Sequence, residues 1–207
     1  SQRGGGARGE PAGYDRGMRM PIERVLLDRE TIAARVGELG AAIAEDFTAA
    51  AGPTRGPTNG AGELTIVPLL TGSVIFVADL MRELPLMMRI RLMRAASYPG
   101  KATTSQGVTI EDQRHESLAG RHVLIVDDIL DSGRTITAVR QQIDAHGPAS
   151  VKVCVLLRKR VASAMAIEAD YVGFDIPDQF VVGYGLDYDG YYRNLPEVVT
   201  LKPEAMA

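Results

Sequence analysis

Short apolar runs rich in branched residues alternate along this chain with segments of helical period, and that alternation restricts the fold more than any other feature. LTIVPLL, Leu64 to Leu70, is followed after Thr71-Gly72 by the helical segment SVIFVADLMREL. His122 to Val126 precedes a helix predicted from about Arg134 to His146, with Ile136, Val139 and Ile143 facing inward and Gly147-Pro148 as the stop. Val151 to Leu157 follows as another strand, and Met87 to Met93 reads as one more. Strands and helices in this order predict an α/β fold, a mostly parallel, doubly wound sheet. Ligands of such sheets bind beyond the carboxyl ends of the strands.

Upstream, Ile32, Val36, Leu39, Ile43 and Phe47 recur at spacings of four, three, four and four, so they share one face of a helix that Asp28 is suited to cap. Ile22 to Leu27 reads as a short peripheral strand, and the Gly, Pro and Asn density of Ala51 to Gly62 marks a loop. The first 17 residues are Gly- and Arg-rich without apolar periodicity and are expected to be a disordered tail. A single domain over 18–207 accounts for the rest, with a mobile loop expected at about 96–107, where small polar residues concentrate.

A net charge of −3 gives no reason to expect nucleic acid as a partner. The lone cysteine, Cys154, stands within VKVCVLL and is expected to be a buried apolar side chain. No apolar run approaches the roughly 20 residues that cross a bilayer, and no signal-peptide core is present, so no membrane partner and a cytoplasmic location are expected.

The chemistry concentrates in VLIVDDILDSGRT, where Asp127, Asp128 and Asp131 stand within five residues and Ser132, Gly133, Arg134 and Thr135 follow at once. Gly133 tolerates positive φ, so the turn suits a nest of N–H groups aimed at an anion, and the helix that follows adds about half a positive charge at its start. Phosphate is the natural guest. Carboxylates flanking a phosphate make sense if the ligand also carries sugar hydroxyls, a Mg²⁺ or a proton to be removed. These needs converge on a phosphorylated ribose with a reactive anomeric centre. The competing readings are a capped helix start and a Walker-B-like strand end, but the chain has no G-x-x-x-x-G-K-[ST].

With its flanks, VLIVDDILDSGRT resembles the phosphoribosyl-diphosphate signature of the type I phosphoribosyltransferases. LLTGSVIFVADLMREL, the pair Ser97-Tyr98, LLRKR and above all YVGFDIPDQFVVGYGLDYDGYYRNLPEV narrow the likeness to the hypoxanthine-guanine phosphoribosyltransferase family, from about Pro21 to Leu201. The resemblance implies the type I fold with a small hood built from the N- and C-terminal segments. It also implies purine salvage: Mg²⁺-dependent transfer of ribose 5-phosphate from phosphoribosyl diphosphate to hypoxanthine or guanine, releasing pyrophosphate. A homodimer or homotetramer is expected on the same ground.

The resemblance assigns roles residue by residue. Asp127 and Asp128 hold the ribose hydroxyls or their bound Mg²⁺; Ser132, Gly133, Arg134 and Thr135 cradle the 5-phosphate; Asp131 takes the proton at, or hydrogen-bonds to, purine N7. Lys159 donates to the 6-oxo group, Phe180 stacks on the base and Val181 meets its far edge. Asp187 is a Mg²⁺-associated acid, and Thr71, Gly72 and Arg193 bind pyrophosphate. Ser97 and Tyr98 belong to the closing lid. The chain departs from the family where Thr71 replaces a common lysine, Asp127 a common glutamate and Arg134 a frequent lysine. A non-proline cis peptide is expected at Leu70–Thr71. A non-catalytic, RNA-binding regulator on the same fold is the competing reading.

If Tyr98 closes the lid against water, Tyr98→Ala is expected to lower turnover far more than it weakens purine binding. Steady-state kinetics beside a binding titration check this, and equal losses in the two count against a lid.

Overall fold

The computed structural model describes residues 21–51, 63–96, 109–112 and 117–205. The tail expected over 1–17, the loop expected from Ala51 beyond residue 51, and the lid pair Ser97 and Tyr98 lie outside them. In chain order come β1 (Ile22–Leu27), α1 (Arg29–Ala51), β2 (Leu64–Leu70), α2 (Val74–Arg82), β3 (Met88–Ile90), β4 (Met93–Ala96) and β5 (Thr109–Asp112). Then follow β6 (His122–Leu130), α3 (Arg134–Asp144), β7 (Ser150–Lys159), the one-turn α4 (Ala162–Met165), β8 (Tyr171–Ile176) and β9 (Val198–Leu201).

The main sheet runs β5-β4-β2-β6-β7-β8, with β3 also on β2, and every pairing but β4 with β5 is parallel. Its central strands β2, β6 and β7 carry long buried apolar runs because helices cover both faces. Leu124, Val126, Cys154 and Leu156 point into a core with the α1 residues Ile32, Val36, Leu39, Ile43 and Phe47 and with Phe76 and Leu80 of α2. Val123, Ile125, Val153 and Val155 point the other way, onto Ile136, Val139 and Ile143 of α3. Each such side chain contributes about 1.5–3 kcal/mol when buried. The predicted stripe of α1 is therefore its core face, and Asp28 caps it, its Oδ1 accepting from the Thr31 N–H at 2.8 Å. Cys154 is fully buried, and burial pushes its thiol pKa up.

Three boundaries differ from the sequence reading. The strand expected over Met87–Met93 is two strands on one edge of β2: β3 pairs with Leu64–Ile66 and β4 with Leu69–Leu70. Pro68, which has no N–H to give, falls in the unpaired interval. The acid-bearing strand continues past Val126 to Leu130, because Ile129 and Leu130 still pair with Leu157 and Arg158. Helix α3 ends at Asp144, two residues early, and its last carbonyls are met by the N–H groups of Ala145, His146 and Gly147.

A second, two-stranded sheet joins β1 to β9 in antiparallel register, Ile22 opposite Leu201 and Leu27 opposite Val198. Its small core contains Val182, Leu195, Val199 and Leu201. This is the hood expected from the two ends of the domain. No described helix is long and apolar enough to cross a membrane.

Helix α1 is fastened to the far edge of the sheet by Arg35, whose Nε and Nη2 donate to the carbonyls of Gly173 and Val172 at 2.9 and 2.8 Å. A Cβ at Gly173 would lie 2.4 Å from the Leu156 carbonyl oxygen, in backbone that cannot step aside cheaply. Gly173→Ala is expected to destabilise the fold by about 1–3 kcal/mol, a melting-temperature fall on the order of 5 °C for a chain this size, read by thermal denaturation.

Candidate active site

The end of β6 delivers its carboxylates into unequal surroundings. Asp127 is 8% exposed and its Oδ1 accepts from the Asp128 N–H at 3.0 Å, while Asp128 Oδ1 accepts from the Ile129 N–H at 3.0 Å. Burial first, and then the neighbouring Asp128 charge, holds the Asp127 carboxyl well above its ordinary value. Asp128 is raised as well, by burial, against the opposing pull of its hydrogen bonds and the Arg193 guanidinium. Two acids held in this way call for a cation or for hydroxyl donors.

Directly after the strand, Gly133 takes φ 71° and opens α3, its carbonyl accepting from the Thr137 N–H and hydroxyl at 2.9 Å each. A Cβ there would also lie 2.2 Å from the Ile167 side chain. Ser132 and Arg134 are exposed beside it and Thr135 is half-buried, so the first turn of α3 faces outward with its N–H groups unspent inside the helix.

The loop after β2 meets the same acids from the other side. Leu70–Thr71 is a cis peptide, as expected. The buried Ser73 hydroxyl donates to the Leu69 carbonyl at 2.7 Å, and the Val74 N–H to the Thr71 carbonyl at 3.2 Å. Gly72 touches Asp128 so closely that a Cβ would stand 1.8 Å from its Oδ2. A Cβ on Gly185, at φ 103°, would in turn lie 2.1 Å from the Gly72 carbonyl oxygen. The loops at 72 and 185 and the end of β6 are thus in mutual contact that only glycine permits.

Between these segments lies a cavity of about 250 Å³ lined by Asp128, Ile129, Asp131, Lys159, Gln179, Phe180, Val181, Leu186 and Asp187. Lys159, at the end of β7, places Nζ 3.0 Å from Asp131 Oδ2 and 3.1 Å from Asp178 Oδ1. Burial alone would lower its pKa; the bonds from Asp131 and Asp178 outweigh that and raise it. Phe180 is 46% exposed and meets Tyr188 edge-on, with ring centroids 5.6 Å apart, so its ring borders the cavity instead of filling the core. Asp187 accepts from the Gly190 N–H at 2.8 Å and pairs with Arg193 Nη2 at 2.7 Å, while Arg193 Nη1 donates to the Gly185 carbonyl at 2.7 Å. A larger cavity, about 590 Å³, opens on the outer side of Arg193 between α1, α2 and residues 193–196, away from the acids of β6.

Asp128, Asp131, Lys159, Phe180, Val181 and Asp187 therefore share one wall system, with Gly72 and Arg193 adjoining it through Asp128 and Asp187. Sequence reasoning missed Asp178, Gln179, Ile129 and Leu186. The apolar pair sits where any core residue could, and an acid beside Gln179 carries no spacing that marks it.

The phosphoribosyl transferase domain family matches residues 35–189. The hypoxanthine-guanine phosphoribosyltransferase of Mycobacterium avium is 43% identical over 183 residues, 88% of this chain and 87% of that protein. The hypoxanthine phosphoribosyltransferase of Escherichia coli K12 is 37% identical over 174 residues, 84% of this chain and 92% of that one. A Trypanosoma cruzi hypoxanthine phosphoribosyltransferase structure superposes with a TM-score of 0.82 at 36% identity, covering 95% and 97% of the two chains. A variant of the Trypanosoma cruzi enzyme complexed with the product IMP gives 0.80 at 35% identity, covering 95% and 96%.

A carboxyl whose pKa is raised by folding adds stability below its unfolded value and withdraws it as the pH climbs through the folded one. At neutral pH the buried Asp127 carboxyl is thus a cost to the folded protein. Asp127→Asn keeps the acceptor for the Asp128 N–H, and is expected to raise the melting temperature at pH 7, in chelator, by on the order of 2–4 °C. The gain is expected to vanish as the pH falls below about 3, where the carboxyl is protonated in both states. Calorimetry across that window checks it.

Proposed function

This chain belongs to the hypoxanthine-guanine phosphoribosyltransferase family, and from that premise we propose that it transfers the 5-phosphoribosyl group of phosphoribosyl diphosphate to N9 of hypoxanthine or guanine. The products are IMP or GMP and pyrophosphate. One observation carries the choice of base: Lys159 and Asp131 stand 3.0 Å apart at the cavity, a donor beside an acceptor. A 6-oxopurine offers the complement, an acceptor at O6 beside a donor at N7–H. Adenine presents a donor at the 6-position, which meets the ammonium donor to donor.

In this reading Phe180 stacks on the base, worth about 1–3 kcal/mol, and the Val181 backbone meets the edge opposite Lys159. The turn into α3, Ser132 to Thr135, receives the 5-phosphate. Asp127 and Asp128 accept from the ribose hydroxyls, and Thr71, Gly72 and Arg193 hold the pyrophosphate. The bond from the anomeric carbon to the pyrophosphate oxygen breaks with its electron pair leaving on oxygen. The N9–carbon bond forms, and the N7 proton passes to Asp131.

Asp127, Asp128 and Asp187 fit a Mg²⁺ ion by chemistry, since hard oxygen donors suit it and the raised pKa of the buried pair marks a need for counter-charge. No three His, Cys, Asp or Glu gather as a ready cage among the described residues; these carboxylates would hold the ion only with further oxygens from water or substrate. When bound, Mg²⁺ supplies charge neutralisation for the departing pyrophosphate. The RNA-binding regulator gains no support, for the relatives above are named as transferases and the chain carries a net charge of −3.

The test mixes the protein with phosphoribosyl diphosphate, Mg²⁺ and hypoxanthine, guanine or adenine. Pyrophosphate release with the two 6-oxopurines and not with adenine is expected, and Asp131→Ala is expected to lower kcat by about 10²–10⁴-fold. Turnover of adenine alone, or no turnover with any base, overturns the reading.

A further inference from the structure

Lys159 has three N–H donors, and two of them go to separate carboxylates, Asp131 Oδ2 at 3.0 Å and Asp178 Oδ1 at 3.1 Å. The ammonium is 13% exposed at its side chain, whereas Asp131 and Asp178 are 56% and 63% exposed. The lysine is the enclosed partner and the acids reach in from solvent. Before a base arrives, Asp131 is therefore occupied by the very cation that is to bind the base beside it. As a base draws Asp131 toward N7–H and Lys159 toward O6, their contact is shared with the purine, and an enclosed ammonium that shares one anion is held in place by another.

We propose that Asp178 is a positioning residue that keeps hold of Lys159 while Asp131 turns to the purine. The loop that carries Asp178 is built to stay in place. The Arg160 N–H donates to the Ile176 carbonyl at 2.9 Å at its start. The Gln179 N–H closes a turn on the Pro177 carbonyl at 2.9 Å, and Arg24 Nη2 of β1 donates to Gln179 Oε1 at 2.9 Å. Asp178 is thus fixed between the end of β8 and the hood, facing the end of β7. Without it, Lys159 retains Asp131 as its only carboxylate partner among those observed, and base and lysine compete for the same oxygens. The loss falls on recognition of the base and leaves the phosphoribosyl side of the site untouched.

The inference rests on the transferase reading, so the experiment separates the two. Wild-type, Asp178→Asn and Asp178→Glu proteins are compared for kcat and for KM toward hypoxanthine and toward phosphoribosyl diphosphate, with melting temperatures alongside. Asp178→Asn is expected to raise the hypoxanthine KM roughly fivefold, the range of an exposed ion pair, and to leave the phosphoribosyl diphosphate KM within about twofold. Asp178→Glu, which restores the charge, is expected to recover most of the base KM. A base KM unchanged in Asp178→Asn, or one that rises equally with the other KM, overturns the positioning role while the transferase reading stands. Failure of the glutamate to recover any of the loss overturns it as well. An inactive wild-type protein removes the reading on which both depend.

Discussion

The parallel ladder between β6 and β7 is the constraint from which the rest of the site follows. Its partners keep one offset from His122 opposite Ser150 to Leu130 opposite Arg158. The next step in that register sets Asp131 against Lys159, 28 residues apart in the chain and 3.0 Å apart in space. The donor and acceptor that we propose for the base are therefore a continuation of sheet pairing, placed by backbone bonds in a strand pair whose inward residues are fully buried. A register slip of one residue would exchange the side chains that face the two helical layers and part the two charges together.

Around that pair the chain collects groups from distant stretches. Acids come from β6, the anion-facing turn from the start of α3, the cis-peptide loop from β2 and the aromatic wall from the segment after β8. Glycines at 72, 133 and 185 make the approach possible, because in each case a Cβ would overlap an atom of another segment. The energetic strain of the site is concentrated in Asp127, enclosed and beside a second acid. Burial of that kind is tolerated where a ligand supplies the missing partner.

Much of this was legible in advance. The spacing of Ile32, Val36, Leu39, Ile43 and Phe47 yields the core face of α1 because a helix must bury one stripe, and the all-apolar runs at β2, β6 and β7 are strands covered on both sides. The layout of VLIVDDILDSGRT was visible as local chemistry, acids on a strand and a glycine before a helix, and the structure has that strand, that positive-φ glycine and that helix. The rest depends on contacts between distant segments. Phe180 in FVVGYG has the composition of a core strand, and only the fold places its ring at a cavity wall. The break between β3 and β4 reflects what Pro68 on a neighbouring strand cannot donate, and Asp178 has no local pattern to distinguish it from a surface acid.

The antiparallel pairing of β1 with β9 has a consequence for how the molecule is made. The partners of residues 22–27, at 198–201, are synthesised more than 170 residues after them. The strands of the main sheet are complete at Ile176, so its register needs nothing from β9, whereas β1 has no sheet partner until residues 198–201 are made. Pairing in the hood thus spans the longest chain separation of any ladder among the described residues.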